Sequence, residues 1–173
     1  TAKKNKNIKF EVCVSDNGSK DKINNLIKFY KKKINIKFNR FRKNRGFAIN
    51  MLKTISMAKG EFVWVIGNDD LLLPNTFRKL DYLLNKNSHI DFFYVNSYNL
   101  SSNFLEKFSK PFNTKNLPSV MKKFSLKEKN EFFNFWDLIN PKVSYDFLLG
   151  IFLTIFRREK FIKNMNVINE NQI

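Results

Sequence analysis

The first 100 residues alternate between two hydrophobic patterns, one typical of strands and one typical of helices. Short apolar or alternating runs predict strands, and apolar residues spaced three and four positions apart predict the helices between them. The predicted strands cover 8–14, 34–41, 61–66 and 90–95, and the predicted helices cover about 20–33, 47–58 and the segment that follows Pro74. This order predicts an α/β fold with a mostly parallel sheet flanked by helices.

Turn residues separate these segments, and a different pattern begins after Leu100. Ser19 or Asp21 is expected to cap the first helix, and Gly46 is expected to supply a positive φ before the second. The later chain predicts a long loop over 101–118, a helix with an aromatic face over 119–139, and a late strand over 148–156 followed by a short helix. The late apolar run is too short to span a bilayer, so it predicts a buried strand or helix, with a shallow membrane-seated element as the second interpretation.

Polar clusters follow two of the predicted strands, at the points where those strands end. Residues 15–19 follow the first strand, and Asn68, Asp69 and Asp70 follow the third. Right-handed crossovers bring the carboxyl ends of parallel strands to one edge of a sheet, where α/β folds bind ligands. Adjacent carboxylates repel each other unless a cation or donors offset them, so this edge is a candidate Mg²⁺ or Mn²⁺ site that phosphates complete. The alternative is a solvated turn, since Asn and Asp are ordinary turn residues.

Composition narrows the classes of partner. The chain of 173 residues is 43% hydrophobic, which excludes a disordered segment, and its formal net charge is +17. This charge favours nucleic acid, an anionic membrane surface or a phosphorylated substrate, and the alternative is a compositionally biased genome, since the lysines are spread along the chain. The single cysteine, Cys13, excludes an internal disulfide and is compatible with a reducing compartment. Because the chain begins at Thr1, we expect it to be a fragment or a processed form.

Several motifs, taken in order, resemble those of family 2 glycosyltransferases with the GT-A fold. They are Val14–Asp21 (VSDNGSKD), Asn44–Asn50 (NRGFAIN) with Ala58–Glu61 (AKGE), Gly67–Asp70 (GNDD) before Pro74, and Phe156–Glu159 (FRRE). The resemblance is to bacterial O-antigen and capsule transferases, including abequosyltransferase-like ones, and it covers 6–99 closely and the remainder loosely. It implies one truncated domain over 1–173, with a nucleotide-sugar-binding half at 1–100 and an acceptor-side half at 101–173.

The resemblance also implies roles for individual residues. The implied nucleotide-binding residues are Asp16, Asn17, Gly18, Ser19, Asn44, Asn68 and Asp69. Asp16 would accept a hydrogen bond from the nucleotide base, and Asp69 would be the metal ligand, with Asp70 as its neighbour or alternative. Asn68 or Gly67 occupies the position of the family's leading aspartate, so the pattern departs from the family there. The catalytic general base is unassigned, because no carboxylate of the second half lies in a convincing motif.

Basic side chains are candidates for electrostatic help to a leaving diphosphate. They are Arg42, Lys43, Arg45, Arg157 and Arg158. For each of them singly, a solvated surface charge is the favoured alternative.

We therefore expect an inverting, metal-dependent glycosyltransferase that moves a sugar from a nucleotide donor to a glycan or lipid-linked acceptor in bacterial surface polysaccharide synthesis. The expected cofactor is Mg²⁺ or Mn²⁺. The expected location is the cytoplasm, with basic groups and the Phe-rich late region at the anionic inner face of the membrane. Two alternatives stay open: a basic nucleic-acid-binding module without catalysis, and an inactive glycosyltransferase fragment that lacks its first strand and general base.

Overall fold

The computed structural model describes residues 8–101, 103, 106, 117, 121–123, 129–134 and 150–171. In chain order its strands are β1 (Val12–Asp16), β2 (Ile36–Arg40), β3 (Phe62–Trp64), β4 (Phe92–Tyr94), β5 (Tyr98–Asn99), β6 (Lys122–Lys123) and β7 (Thr154–Arg157). The α-helices with described bounds are α1 (Asn24–Lys31), α2 (Phe47–Met57), α3 (Thr76–Lys86) and α4 (Arg158–Asn171), and a 3₁₀ turn covers Ile151–Leu153. The predicted α/β class is confirmed.

Strand pairing combines parallel and antiparallel ladders. β1 and β2 are parallel, in a register that runs from Val12 opposite Ile36 to Asp16 opposite Arg40. A second sheet has the order β3-β7-β4. Its β4–β7 ladder is antiparallel, because the N–H of Arg157 donates to the carbonyl of Asp91 while the N–H of Val95 donates to the carbonyl of Leu153. β5 and β6 form a short antiparallel pair.

Contacts within the chain divide it into two compact units. The first takes in the chain up to Val65, Asn75–Asp91 and the residues from Phe156 on, and the second takes in Ile66–Pro74 and Phe92–Ile155. The most buried apolar side chains of the first unit are Ile27, Ile55 and Val63, and those of the second are Phe93, Leu153 and Ile155. Each unit therefore has apolar side chains removed from water, which is the dominant favourable contribution to folding.

The carboxylate of Glu11, directly before β1, holds the connection between α2 and β3 in place. Glu11 accepts hydrogen bonds from the N–H groups of Lys59 (2.5 Å) and Gly60 (2.9 Å), and its other oxygen lies 2.5 Å from the ammonium of Lys37. Lys37 in turn donates to the carbonyl of Met57, at the end of α2 (2.9 Å). Burial raises the pKa of the Glu11 carboxyl, but these donors outweigh burial and hold the pKa below its ordinary value.

Several predicted elements differ from the observed ones. The structure begins α1 at Asn24, with no side-chain cap, so neither Ser19 nor Asp21 caps it. The helix expected over 119–139 is wrong at the described residues, where Lys122–Lys123 form β6 and 129–134 are not helical, and its other residues lie outside the described part. The late strand begins only at Thr154, because the 3₁₀ turn covers Ile151–Leu153, and residues 148 and 149 of the prediction lie outside the described part. Gly46 has the predicted positive φ, 85°.

Candidate functional site

A buried carboxylate ends β1 and is the best-defined polar group among the predicted site residues. Asp16 is only 7% exposed and pairs in register with Arg40 of β2. Its Oδ1 accepts a hydrogen bond from the N–H of Ser19 (2.8 Å), which closes the turn after the strand. Its Oδ2 lies 3.0 Å from Nε of Arg40, yet this oxygen accepts no hydrogen bond, so the ion pair lacks hydrogen-bond alignment. Asp16 thus keeps one unused acceptor, which is unusual for a buried polar atom.

Arg40 fixes the same turn from the other strand. Its Nη2 donates to the carbonyl of Ser19 (2.6 Å) and to that of Asp21 (3.2 Å), while its Nε faces Asp16. The guanidinium therefore neutralises a buried carboxylate and also donates to two backbone carbonyls. A lysine at this position has a single compact ammonium and would not make all three contacts at once. An open cleft of about 310 Å³ lies beside it, lined by Gly18, Ser19, Arg40, Phe41 and Arg42.

The loops that follow β1 and β2 are locked together by asparagine side chains. Nδ2 of Asn17 donates to Oδ1 of Asn44 (2.9 Å) and to the carbonyl of Gly46 (3.1 Å). Oδ1 of Asn17 accepts from the N–H of Arg45 (2.9 Å), and Oδ1 of Asn44 also accepts from the N–H of Gly46 (2.8 Å). Two predicted site residues that are 27 positions apart in sequence are thus brought into direct contact.

Gly18 allows the two loops to approach each other closely. Its φ is +77°, and a Cβ built on it would lie 2.6 Å from the carbonyl carbon of Lys43 and 2.9 Å from the nitrogen of Asn44. Backbone atoms cannot yield as a flexible side chain does, so both the conformation and the space at this position require glycine.

α2 contributes a second polar contact beneath the first loop. Nδ2 of Asn50 donates to the carbonyl of Ser15 (3.2 Å), and Nδ2 of Asn39 in β2 donates to the Ser15 hydroxyl (3.0 Å). Oδ1 of Asn50 is buried and accepts no hydrogen bond. Ser15, directly before Asp16, is therefore held from both β2 and α2, which fixes the direction in which β1 ends.

The second predicted segment, after β3, folds its carboxylates back onto its own backbone. Oδ2 of Asp70 accepts from the N–H of Gly67 (2.5 Å), and a Cβ on Gly67 would collide with the carboxylate of Asp69. Both carboxylates thus lie against Gly67, while the side chains of Asn68 and Asp69 are exposed. Within the residues that the structure describes, no group of three or more His, Cys, Asp and Glu side chains is placed to hold a metal ion.

Arg157, one of the basic candidates from the sequence, is paired with two carboxylates and is not a free surface charge. Its Nε donates to Asp91 (2.6 Å), its Nη1 pairs with Glu61, and its guanidinium lies 4.6 Å from the ring centroid of Phe62. The two carboxylates raise its pKa above the ordinary value, and the hydrogen bond that Arg157 donates to Asp91 is the largest cause. Since Glu61 and Asp91 precede β3 and β4, this cluster joins the beginnings of two strands. Arg158 likewise donates to the carbonyl of Gly60 (2.9 Å).

The remaining basic candidates lie on the loop between β2 and α2. Arg42, Lys43 and Arg45 all have exposed side chains. The sequence interpretation missed Arg40 and Glu11, which hold the two ends of β1. Arg40 could have been found as the opposite charge that lies across from Asp16, but only if the β1–β2 register had been known.

Comparison with known proteins identifies the family of the chain. The sequence profile of Glycosyl transferase family 2 matches residues 1–147. A Mycoplasma pneumoniae protein described as an uncharacterized glycosyltransferase is 38% identical over 79 residues, which are 44% of this chain and 26% of that protein. The abequosyltransferase RfbV of Salmonella typhimurium is 31% identical over 86 residues, which are 49% of this chain and 26% of that protein. No solved structure matches.

The chain belongs to glycosyl transferase family 2, and the resemblance found in its motifs is confirmed. Its matched segment spans about a quarter of the length of each of these relatives.

Proposed function

We propose that this protein transfers a sugar, with inversion, from a nucleotide-sugar donor to a glycan or lipid-linked acceptor in bacterial surface polysaccharide synthesis. Family membership supports glycosyl transfer, and the Salmonella relative is named as an abequosyltransferase. The observation that carries the proposal is the buried Asp16 carboxylate, whose Oδ2 is ion-paired with Arg40 but accepts no hydrogen bond. Ser19 and Arg40, which both contact this carboxylate, line the open cleft. Arg40 offsets the charge of this carboxylate, and a ligand donor aligned with Oδ2 would add the hydrogen bond that the ion pair lacks.

In this proposal Asp16 accepts a hydrogen bond from an N–H of the nucleotide base. Asn17, Gly18 and Asn44 hold the two loops at the spacing that keeps the cleft open, and Ser19 fixes the Asp16 carboxylate from the other side. The exposed cations of the β2–α2 loop lower the cost of bringing a diphosphate close to this part of the chain. All of these contributions come from groups that are positioned before the donor arrives, so little ordering entropy is lost on binding.

Asp69 and Asp70, with Asn68 beside them, fit a divalent cation. Mg²⁺ is commonly held by one or two carboxylates together with substrate phosphates, so a cage of three protein carboxylates is not required. Both carboxylates lie against Gly67, and Asp69 is exposed to an incoming ligand. Mg²⁺ or Mn²⁺ bound there would neutralise the negative charge of a leaving diphosphate. The hydrogen bond from Gly67 holds Asp70 in place, which leaves Asp69 as the proposed principal ligand.

Calorimetric titration tests the donor site. The protein, expressed with the sequence that flanks it in its gene, is titrated with UDP, CDP and dTDP with and without Mn²⁺. We expect one nucleotide to bind, and Asp16→Asn to weaken it about 10- to 100-fold, the value of a hydrogen bond to a charged acceptor. Asp69→Asn should remove the effect of Mn²⁺, and Asp81→Asn on α3 is the matched control. If none of the nucleotides binds, the proposal is wrong.

A turnover assay separates an active enzyme from an inactive one. Hydrolysis or transfer of a radiolabelled sugar from the nucleotide that binds best would show activity at this site. Binding without any turnover, in the presence of Mn²⁺ and membrane-extracted acceptors, would favour the interpretation as an inactive member of the family. Because nucleotide sugars are cytoplasmic metabolites, we place the reaction on the cytoplasmic side of the membrane.

A further inference from the structure

The outer side of α1 carries large apolar side chains that face solvent. Leu26, Phe29 and Tyr30 are 56%, 52% and 44% exposed. Their spacing of three and four positions puts them on one side of the helix, which we call the α1 face. Ile27, on another side of the same helix, is buried. One side of the helix thus packs in the interior through Ile27, while a second apolar side faces solvent.

Lysines border the α1 face. The ammonium of Lys33 lies 3.1 Å from the ring centroid of Phe29 and 5.7 Å from that of Tyr30. The backbone N–H of Lys33 donates to the Tyr30 carbonyl. Lys22, with an exposed side chain, lies two residues before the start of α1. The segment 20–33 contains six lysines and one aspartate. The α1 face is therefore an apolar patch that Lys33 contacts directly, in a segment rich in lysine.

We propose that the α1 face docks on an anionic lipid surface. Leucine and aromatic side chains enter the boundary between headgroups and acyl chains, while lysines at the rim contact the negative headgroups. Apolar contact and charge attraction act together only where both lie on one side of one element, as they do here. This membrane contact on α1 is separate from the one expected from sequence for the Phe-rich late region.

Two other occupants fit the α1 face less well. Single-stranded nucleic acid needs open aromatic faces for base stacking, but Lys33 covers one face of the Phe29 ring and Tyr30 packs edge-on against it at 5.1 Å between centroids. A second copy of this chain would bring two lysine-rich surfaces together, which is electrostatically unfavourable. No helix among the described residues is both long and apolar enough to cross a membrane.

Vesicle flotation of the full chain tests the proposal without any turnover, so its failure is separate from failure of the proposed glycosyl transfer. Vesicles contain either neutral phosphatidylcholine alone or phosphatidylcholine with phosphatidylglycerol. We expect binding only to the anionic vesicles. Leu26→Ser with Phe29→Ser should lower the partition coefficient about tenfold or more, and Lys22→Gln with Lys33→Gln should lower it about tenfold to thirtyfold.

α3 offers a matched control. Tyr82 is 66% exposed, with the ammonium of Lys86 5.7 Å from its ring centroid, and Lys79 is exposed on the same helix. Tyr82→Ser, and Lys79→Gln with Lys86→Gln, should change vesicle binding less than about twofold, although the second removes the same charge as the α1 lysine variant. Equal losses from the α1 and α3 lysine variants would show attraction by net charge alone and overturn the proposal.

Two further results would also overturn it. One is equal binding to neutral and anionic vesicles. The other is an α1 serine variant that keeps vesicle binding but loses binding to a labelled single-stranded oligonucleotide or loses self-association in sedimentation velocity. Far-ultraviolet circular dichroism of every variant checks that the helices are intact, and since both serine substitutions are at exposed positions, we expect the same spectrum as the unmodified chain.

Discussion

Replacing Glu11 by Gln tests whether one carboxylate holds the end of α2 and the start of β3 against β1. Gln keeps an acceptor for the N–H groups of Lys59 and Gly60, but it loses the charge, and neutral hydrogen bonds are worth about half as much as charged ones. It also loses the pairing with Lys37, worth about 1 kcal/mol or less for a partly exposed pair. We expect a total loss of about 2 kcal/mol at neutral pH.

The pH dependence of this loss follows from the direction of the pKa shift. The folded pKa of Glu11 lies below its unfolded value, so the stabilisation is complete at pH values above the unfolded pKa of about 4.3. It is lost as the pH falls through the folded pKa, where the carboxyl becomes protonated and resembles the Gln side chain. The difference in unfolding free energy between the two proteins should therefore be largest near neutral pH and shrink toward zero in acid.

Urea denaturation followed by tryptophan fluorescence measures this difference, since Trp64 lies in β3, close in sequence to the loop that Glu11 holds. Melting curves should show a decrease in Tm of about 4–8 °C at pH 7, the shift that about 2 kcal/mol produces in a chain of this size. Glu159→Gln, at an exposed position in the first turn of α4, is the control. A Glu11→Gln variant as stable as the unmodified chain at pH 7, or a difference that stays constant into acid, would refute the reasoning.

Three further substitutions test the loops and the Arg157 cluster. Gly18→Ala adds a collision with the Lys43 backbone to the cost of a positive φ, about 1–2 kcal/mol, so thermal melting should show a larger loss than for Gly46→Ala, whose Cβ meets nothing within 4 Å. Equal losses would contradict the collision. Asn17→Ala should lower the free energy of unfolding in urea by about 1–2 kcal/mol and also weaken nucleotide binding in calorimetry. Unchanged affinity would show that the contact between the two loops does not contribute to the donor site. Arg157→Lys keeps the charge but not the planar fork, so Tm should fall although net charge is unchanged, and an unchanged Tm would show that charge alone suffices.

Features that depend on local sequence were predictable, and those that depend on register or on distant partners were not. The α/β order and the positive φ of Gly46 follow from hydrophobic spacing and from the conformational freedom of glycine. The pairing of Asp16 with Arg40 depends on the β1–β2 register, which cannot be read from the sequence of either strand alone.

The wrong cap prediction has the same origin. Ser19 looks like a helix cap in sequence, but its N–H and carbonyl are used by Asp16 and Arg40, so the turn is extended and α1 starts later. The beginning of β6 inside a predicted helix is a further case in which pairing with a distant strand, β5, decides the local structure. The roles predicted for Asn68, Asp69 and Asp70 remain predictions that the titrations above test.

The contact between Asn17 and Asn44 has an evolutionary consequence. The Asn17 amide bonds to the loop after β2, and the Asn44 oxygen accepts from Asn17 and from its own loop, so losing either one alone leaves groups of the other without their partner. Descendants that reshape this part of the molecule for a different donor are expected to exchange the two positions as a pair. Coordinated substitution at these sites would then mark the branches on which donor preference changed.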